Sequence, residues 1–168
     1  MCFAVRLWHA SPECFTDFDF NRVGQTSLKY GFGIYFSRDK QTARRHVQNA
    51  AYLYRVDLSR ANYKRLLRMT EQLDKQCEEV KKLGETLKDN EPLSRWAAQG
   101  ILKADGISLY KAACAYAGGS TQGIEYEKLG AKYLVNNGVL GAVTKDNSEE
   151  VITLYCPTIA KIAKSQKL

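Results

Sequence analysis

The chain has 168 residues, with 25 basic against 18 acidic side chains and a formal charge of +7, so it can bury a core as one domain without staples. Its positive balance favours polyanions such as nucleotides and nucleic acid. No stretch approaches the roughly 18 apolar residues of a membrane span, and five cysteines without a C-x-x-C pair argue against a disulfide framework or a zinc site.

The opening segment, broken by Arg6 and His9, is too short an apolar run for a signal peptide. With the odd cysteine count, this leads to the expectation of a soluble protein of the reducing cytoplasm. "AVRLWHAS" reads as a first strand with His9 near its end. Residues 12–29 are polar with interspersed Phe15, Phe18 and Phe20, a loop or short helical turn pinned by aromatics. "GIYFS" is a second strand, "KQTARRHVQNA" a helix capped by Ser37 or Asp39, and "AYLYRVDLS" an alternating strand. From Ala61 the period changes. Leu66, Met69, Leu73, Gln76, Val80, Leu83 and Leu87 recur at alternating steps of three and four, the seam of one long charged helix ending at Pro92. That seam faces either the chain's own core or a partner helix. Helices follow in "LSRWAAQGILKA", "GISLYKAACAYA" and "EKLGAKYLVNNG", the last stopped by Gly138. "VLGAVT" is a strand, "KDNSE" a turn and "EVITLYC" the last strand. Strands framing a helical middle predict a single α+β domain over residues 1–168, with a helical insertion at about 61–118.

The stretch "YGFGIYFS" stands out because Gly31 and Gly33 precede large β-formers, where glycine packs nothing and costs entropy. A dinucleotide-binding turn would need a preceding strand, a third glycine and a following helix, and a strand follows instead. A turn without function is one reading. A backbone that must lie close to something is the other.

Taken in order, W-H-A-S, Y-G-F-G-I-Y-F-S, A-R-R-H on a short helix and Y-L-Y-R-V-D-L resemble the ADP-ribosyltransferase superfamily. The likeness is to its His-Tyr-Glu class, that of diphtheria toxin and poly-ADP-ribose polymerase, and within it to the small transferase-like domains of phage polyvalent proteins and toxin systems. It covers residues 5–60 and, more loosely, 104–162. The resemblance implies a split β-sheet core and cleavage of NAD, used as substrate without a metal. It implies that His9 contacts a ribose hydroxyl, that the backbone at Ala10 holds the nicotinamide amide, and that Tyr35 stacks on the nicotinamide ring. Gly31 and Gly33 would let the chain approach the dinucleotide, and Ser11, Phe36 and Ser37 complete the implied NAD-binding set. His46, eleven positions after Tyr35, stands where relatives place a second stacking tyrosine, and Ala10 stands where they have glycine.

The resemblance also implies a carboxylate at the start of a late strand, to stabilise the oxocarbenium-like ribose. "SEEVITLYCPTIAKI" resembles the family's closing strand and proline turn. Glu150 is the first choice and Glu149 the reserve, since alternation lets only one face the cleft. Glu125, in "STQGIEYE", is a further candidate. Arg44 and Arg45 could pair with the NAD pyrophosphate or a nucleic-acid substrate. The expected function is mono-ADP-ribosyl transfer to RNA, DNA or protein, in a toxin-antitoxin or phage-conflict setting with a possible antitoxin partner. A non-catalytic NAD or ADP-ribose binding module and a basic nucleic-acid-binding domain are the alternatives.

Overall fold

A computed structural model describes residues 4–23, 28–156 and 158–168. Cys2, part of the 12–29 segment and Pro157 of the expected proline turn lie outside the described residues. The chain is α+β, with five helices and one seven-stranded mixed sheet among the described residues. The strands are β1 (Val5–Ser11), β2 (Ile34–Ser37), β3 (Tyr52–Leu58), β4 (Leu66–Arg68), β5 (Gly141–Asp146), β6 (Glu149–Leu154) and β7 (Ile162–Lys167). They lie in the order β4-β5-β6-β2-β1-β3-β7, antiparallel except for the parallel β4/β5 pair. The helices are α1 (Lys40–Arg45), α2 (Arg60–Lys64), α3 (Glu78–Thr86), α4 (Gly106–Gly118) and α5 (Gly123–Asn136).

The register Trp8↔Ser37, Ser37↔Val151, Val151↔Thr144 puts these side chains on one face of the sheet. On that face α1 covers Trp8, Ala10 and Leu53 through Ala43, while α4 and α5 cover Leu67 and Ala142 in the larger core. The opposite face buries Leu7, Phe36, Val56, Leu66, Val143 and Ile152. Asp39 caps α1 by accepting the Thr42 N–H at 2.7 Å, and Asp105 caps α4 by accepting the Ser108 N–H at 2.8 Å. Asn147 and Ser148, at φ 47° and 70°, make the tight β5–β6 turn.

Three elements differ from the sequence expectation. The long helix does not form. Residues 60–87 give α2, β4, a 3-10 turn (Leu73–Lys75) and α3. Every residue of the seam is buried, but backbone bonds to distant partners replace helical ones: Leu73 N–H donates to Ala104 O at 2.9 Å and Ile107 N–H to Met69 O at 2.9 Å. Gln76 secures this path, accepting the Arg68 N–H at 2.8 Å and donating to Arg68 O and Glu71 O at 3.0 and 2.9 Å. The seam therefore serves the chain's own core and is no docking face for a partner helix, and the 61–118 segment is not wholly helical, because it adds an edge strand to the sheet. The helix expected around residues 93–104 is two 3-10 turns (Leu93–Trp96 and Ile101–Lys103), separated by Gly100 at φ 92°. β6 is not the last strand, since β7 pairs with β3 and closes the sheet's far edge.

Candidate functional site

β1 and β2 share one register pair, Trp8↔Ser37. Beyond it the strands diverge, and the His9 side chain reaches across the gap, its Nδ1 donating to Tyr35 O at 2.8 Å. A cavity of about 610 Å³ opens at this split, a size that suits a small-molecule ligand. Its walls come from the end of β1, the aromatic loop after it, β2 and α1.

His9 packs among Phe18, Phe36, Phe15 and Tyr54, with ring centroids 5.2, 5.7, 6.2 and 6.4 Å away. Burial lowers its pKa below 6.5, against a smaller upward pull from the Tyr35 carbonyl bond. The imidazole is therefore neutral near pH 7. Because a carbonyl only accepts, Nδ1 carries the proton and Nε2 is left as an acceptor. Tyr54 fixes the surrounding loop: its hydroxyl accepts the Phe15 N–H at 2.8 Å and donates to Glu13 O at 3.1 Å, while Phe15 stacks on its ring at 4.0 Å.

Tyr35 lines the same cavity. Its hydroxyl donates to Gly31 O at 2.6 Å and accepts the Tyr30 N–H at 3.2 Å, which folds the 30–35 segment against its own ring. Burial raises the phenol's pKa. The segment is tied to the β5–β6 hairpin because Tyr30 and Lys29 both bond to Asp146, Lys29 at 2.8 Å.

The two glycines are explained by protein neighbours. A Cβ on Gly31, at φ 85°, would stand 2.7 Å from Tyr110 Oη, and one on Gly33, at φ 151°, would stand 2.6 Å from Leu154 O and from Thr153 Cγ2. The close backbone approach is thus to α4 and to β6. Gly33 lines the cavity and Gly31 does not. Tyr110 completes this corner by accepting the Phe32 N–H at 3.0 Å and donating to Glu127, and burial pushes its pKa far upward.

Ala10, Ser11, Phe36, Ser37 and His46 also line the cavity. Ser11 and Ser37 are engaged as acceptors, from the Glu13 and Asp39 N–H groups, each at 3.1 Å. The acidic pair divides across β6. Glu149 lies on the face of Val151 and Ser37, both cavity-lining, with its Oε2 3.8 Å from His46 Nε2. Its Oε1 accepts from Arg45 at 2.6 Å and from Thr42 at 3.1 Å. Glu150, the first choice for the carboxylate, lies on the other face of the strand and accepts from the Tyr63 hydroxyl at 3.2 Å. Neither carboxylate lines the cavity, and of the two only Glu149 approaches a residue that does, His46. The physical reason is register: the turn at Asn147 and Ser148 pairs Glu149 with Asp146 and Glu150 with Lys145, and alternation does the rest. Glu125 is exposed in the first turn of α5, away from the cavity walls.

Arg45 spends its guanidinium on Glu149, and Arg44 is exposed. Sequence reasoning missed Thr42 as a partner of Glu149. The available signal was the spacing of Thr42 and Arg45, one turn apart on α1, which lets Arg45 also donate to Thr42 at 3.0 Å. Tyr54 and Glu127 were missed as well, and neither carries a local motif. Among the described residues no group of three or more His, Cys, Asp or Glu could hold a metal ion, and no helix is long and apolar enough to cross a membrane. No protein-family model, curated protein or solved structure matches the chain.

Proposed function

We propose that this chain is a mono-ADP-ribosyltransferase of the His-Tyr-Glu class, with an ADP-ribosyltransferase-like split sheet, which cleaves NAD and passes ADP-ribose to a macromolecule. The observation that carries the reading is the common cavity at the β1/β2 split, lined by His9 and Tyr35, with Glu149 beside His46 at its edge. In this reading the neutral His9 accepts a ribose hydroxyl at Nε2, and Tyr35 and His46 offer flat faces to the nicotinamide. The glycosidic bond breaks with its electron pair leaving on neutral nicotinamide. A lone pair of the acceptor forms the new bond at the ribose carbon, and the acceptor's proton passes to solvent.

Glu149 supplies the fixed negative charge opposite the developing cation. Its pairing with Arg45 is a partly exposed one, worth less than about 1 kcal/mol, so a diphosphate can draw Arg45 away and free the carboxylate. The same pairing favours a second reading, a non-catalytic NAD or ADP-ribose binding module in which Arg45 keeps Glu149 neutralised. Action in the cytoplasm, in a toxin-antitoxin or phage-conflict setting, belongs to the first reading by resemblance.

Nicotinamide release from NAD, followed by chromatography, separates the two. Glu149→Gln is expected to lower the rate by about 10² to 10³ with little change in NAD affinity, because the charge acts mainly in the transition state. Glu150→Gln is expected to keep wild-type activity. Binding without any nicotinamide release by the wild type would favour the module, and full activity in Glu149→Gln would overturn the assignment of the carboxylate.

A further inference from the structure

The face of the sheet that carries Phe36 and Ile152 bears a second arrangement at its β4–β2 side, which none of the site residues above explains. Arg68 on β4, Lys145 on β5 and Glu150 on β6 stand on that one face by register, and Arg38, just after β2, joins them through its contacts with Glu150 and Tyr63. Tyr63 of α2 sits among them. The Arg68 guanidinium lies 4.7 Å and that of Arg38 5.8 Å from its ring centroid, and Arg68 also donates to its hydroxyl at 3.3 Å. The one carboxylate in the group, Glu150, accepts from Tyr63 and stands 3.8 Å from Arg38. Three cations thus face one anion, and α2, with the sequence RANYK, adds Arg60 and Lys64 at the surface without any acid.

Two guanidiniums held against an aromatic ring lose little further freedom on binding, and their N–H edges remain available for bidentate contact. That chemistry suits phosphate oxygens at more than one position. The placement adds a direction. Ser37 lines the cavity and Arg38 stands on the shelf; Glu149 stands beside the cavity-lining His46 and Glu150 stands on the shelf. Cavity and shelf therefore adjoin along β2 and β6, and a chain gripped at Arg38 beside Glu150 lies close to Glu149, the next residue of the same strand.

We infer that the Arg38–Tyr63–Arg68 shelf binds the phosphodiester backbone of single-stranded nucleic acid and presents it as the acceptor of ADP-ribose. The acceptor role rests on the transferase reading above, whereas the binding role stands without it.

The test is fluorescence anisotropy with labelled oligo(U) and oligo(dT) across a salt series, run beside nicotinamide release from NAD alone. The wild type is expected to bind at low salt. Arg38→Gln with Arg68→Gln should weaken binding and reduce the slope of log K against log salt by about 1.4, two phosphate contacts at about 0.7 each. NAD cleavage without oligonucleotide should stay within about twofold, since neither arginine touches the cavity. Lys164→Gln with Lys167→Gln removes the same charge from β7, at the other edge of the sheet, and should leave most of the affinity. Equal losses in the two double variants would reduce the shelf to net charge and overturn the inference, as would absence of binding by the wild type. Transfer of labelled ADP-ribose from NAD to lysate protein but not to a bound oligonucleotide would overturn the acceptor role. Failure of NAD cleavage, with oligonucleotide binding intact, would count against the transferase alone.

Discussion

Gly33→Ala tests how the cavity wall is built. The added Cβ would stand 2.6 Å from both Leu154 O and Thr153 Cγ2, with the residue held at φ 151°. An L side chain at such a backbone conformation costs about 1–3 kcal/mol. The contact adds about 1–3 kcal/mol more of overpacking, because Leu154 cannot retreat easily: it pairs with Ile34 on one side and Gly141 on the other. The sum, about 2–6 kcal/mol, is a large part of the roughly 5–15 kcal/mol that stabilises an ordinary domain. Gly100→Ala is the control, since Gly100 also has positive φ, 92°, but nothing lies within 4 Å of its Cβ position. Urea unfolding followed by the fluorescence of Trp8 and Trp96 should show Gly33→Ala less stable than Gly100→Ala by about 1–3 kcal/mol, the contact contribution alone. The two variants falling within about 0.5 kcal/mol of each other would refute the close approach to β6, and with it the account of why this wall needs glycine.

The two histidines, His9 and His46, allow an NMR titration in which His9 is expected to titrate below 6.5 because burial disfavours its charged form. The unfolded chain then takes up a proton that the folded chain refuses, so this contribution to stability is full above about 6.5, falls as pH drops below it and levels off at the folded pKa. His9→Gln should flatten that fall, and a His9 value at or above 6.5 would contradict the buried, neutral assignment. Tyr110→Phe strands the Phe32 N–H and removes the donor to Glu127, at a cost of about 1–3 kcal/mol per unsatisfied group. Gly31→Ala should cost less in a Tyr110→Leu background than in the wild type, since the hydroxyl and the ring carbon it meets at 2.7 and 2.8 Å are then both gone; strictly additive losses in that double variant would argue against the contact.

What the amino-acid sequence determined by itself is local. β1, β2 and β3 stood where β-branched and aromatic residues run between turn-formers, α1 began after Ser37 and Asp39, of which the structure makes Asp39 the cap, and Gly138, at φ 88°, stopped α5. The residues of the 66–87 seam were legible as buried, because burial follows hydrophobicity, while their element was not. A step of three and four describes a helix only if the backbone bonds stay local, and here residues 104–107 claimed them. The same limit applied to the candidate site. Gly31 and Gly33 announced that something lies close, and only the tertiary structure named Tyr110 and the β6 backbone as that something. Glu149 and Glu150 are chemically identical neighbours, and strand alternation says that they part company without saying which one stands beside the cavity-lining His46. Register decided it. The turn at Asn147 and Ser148 pairs Glu149 with Asp146, and a slip of one residue would have exchanged the two carboxylates.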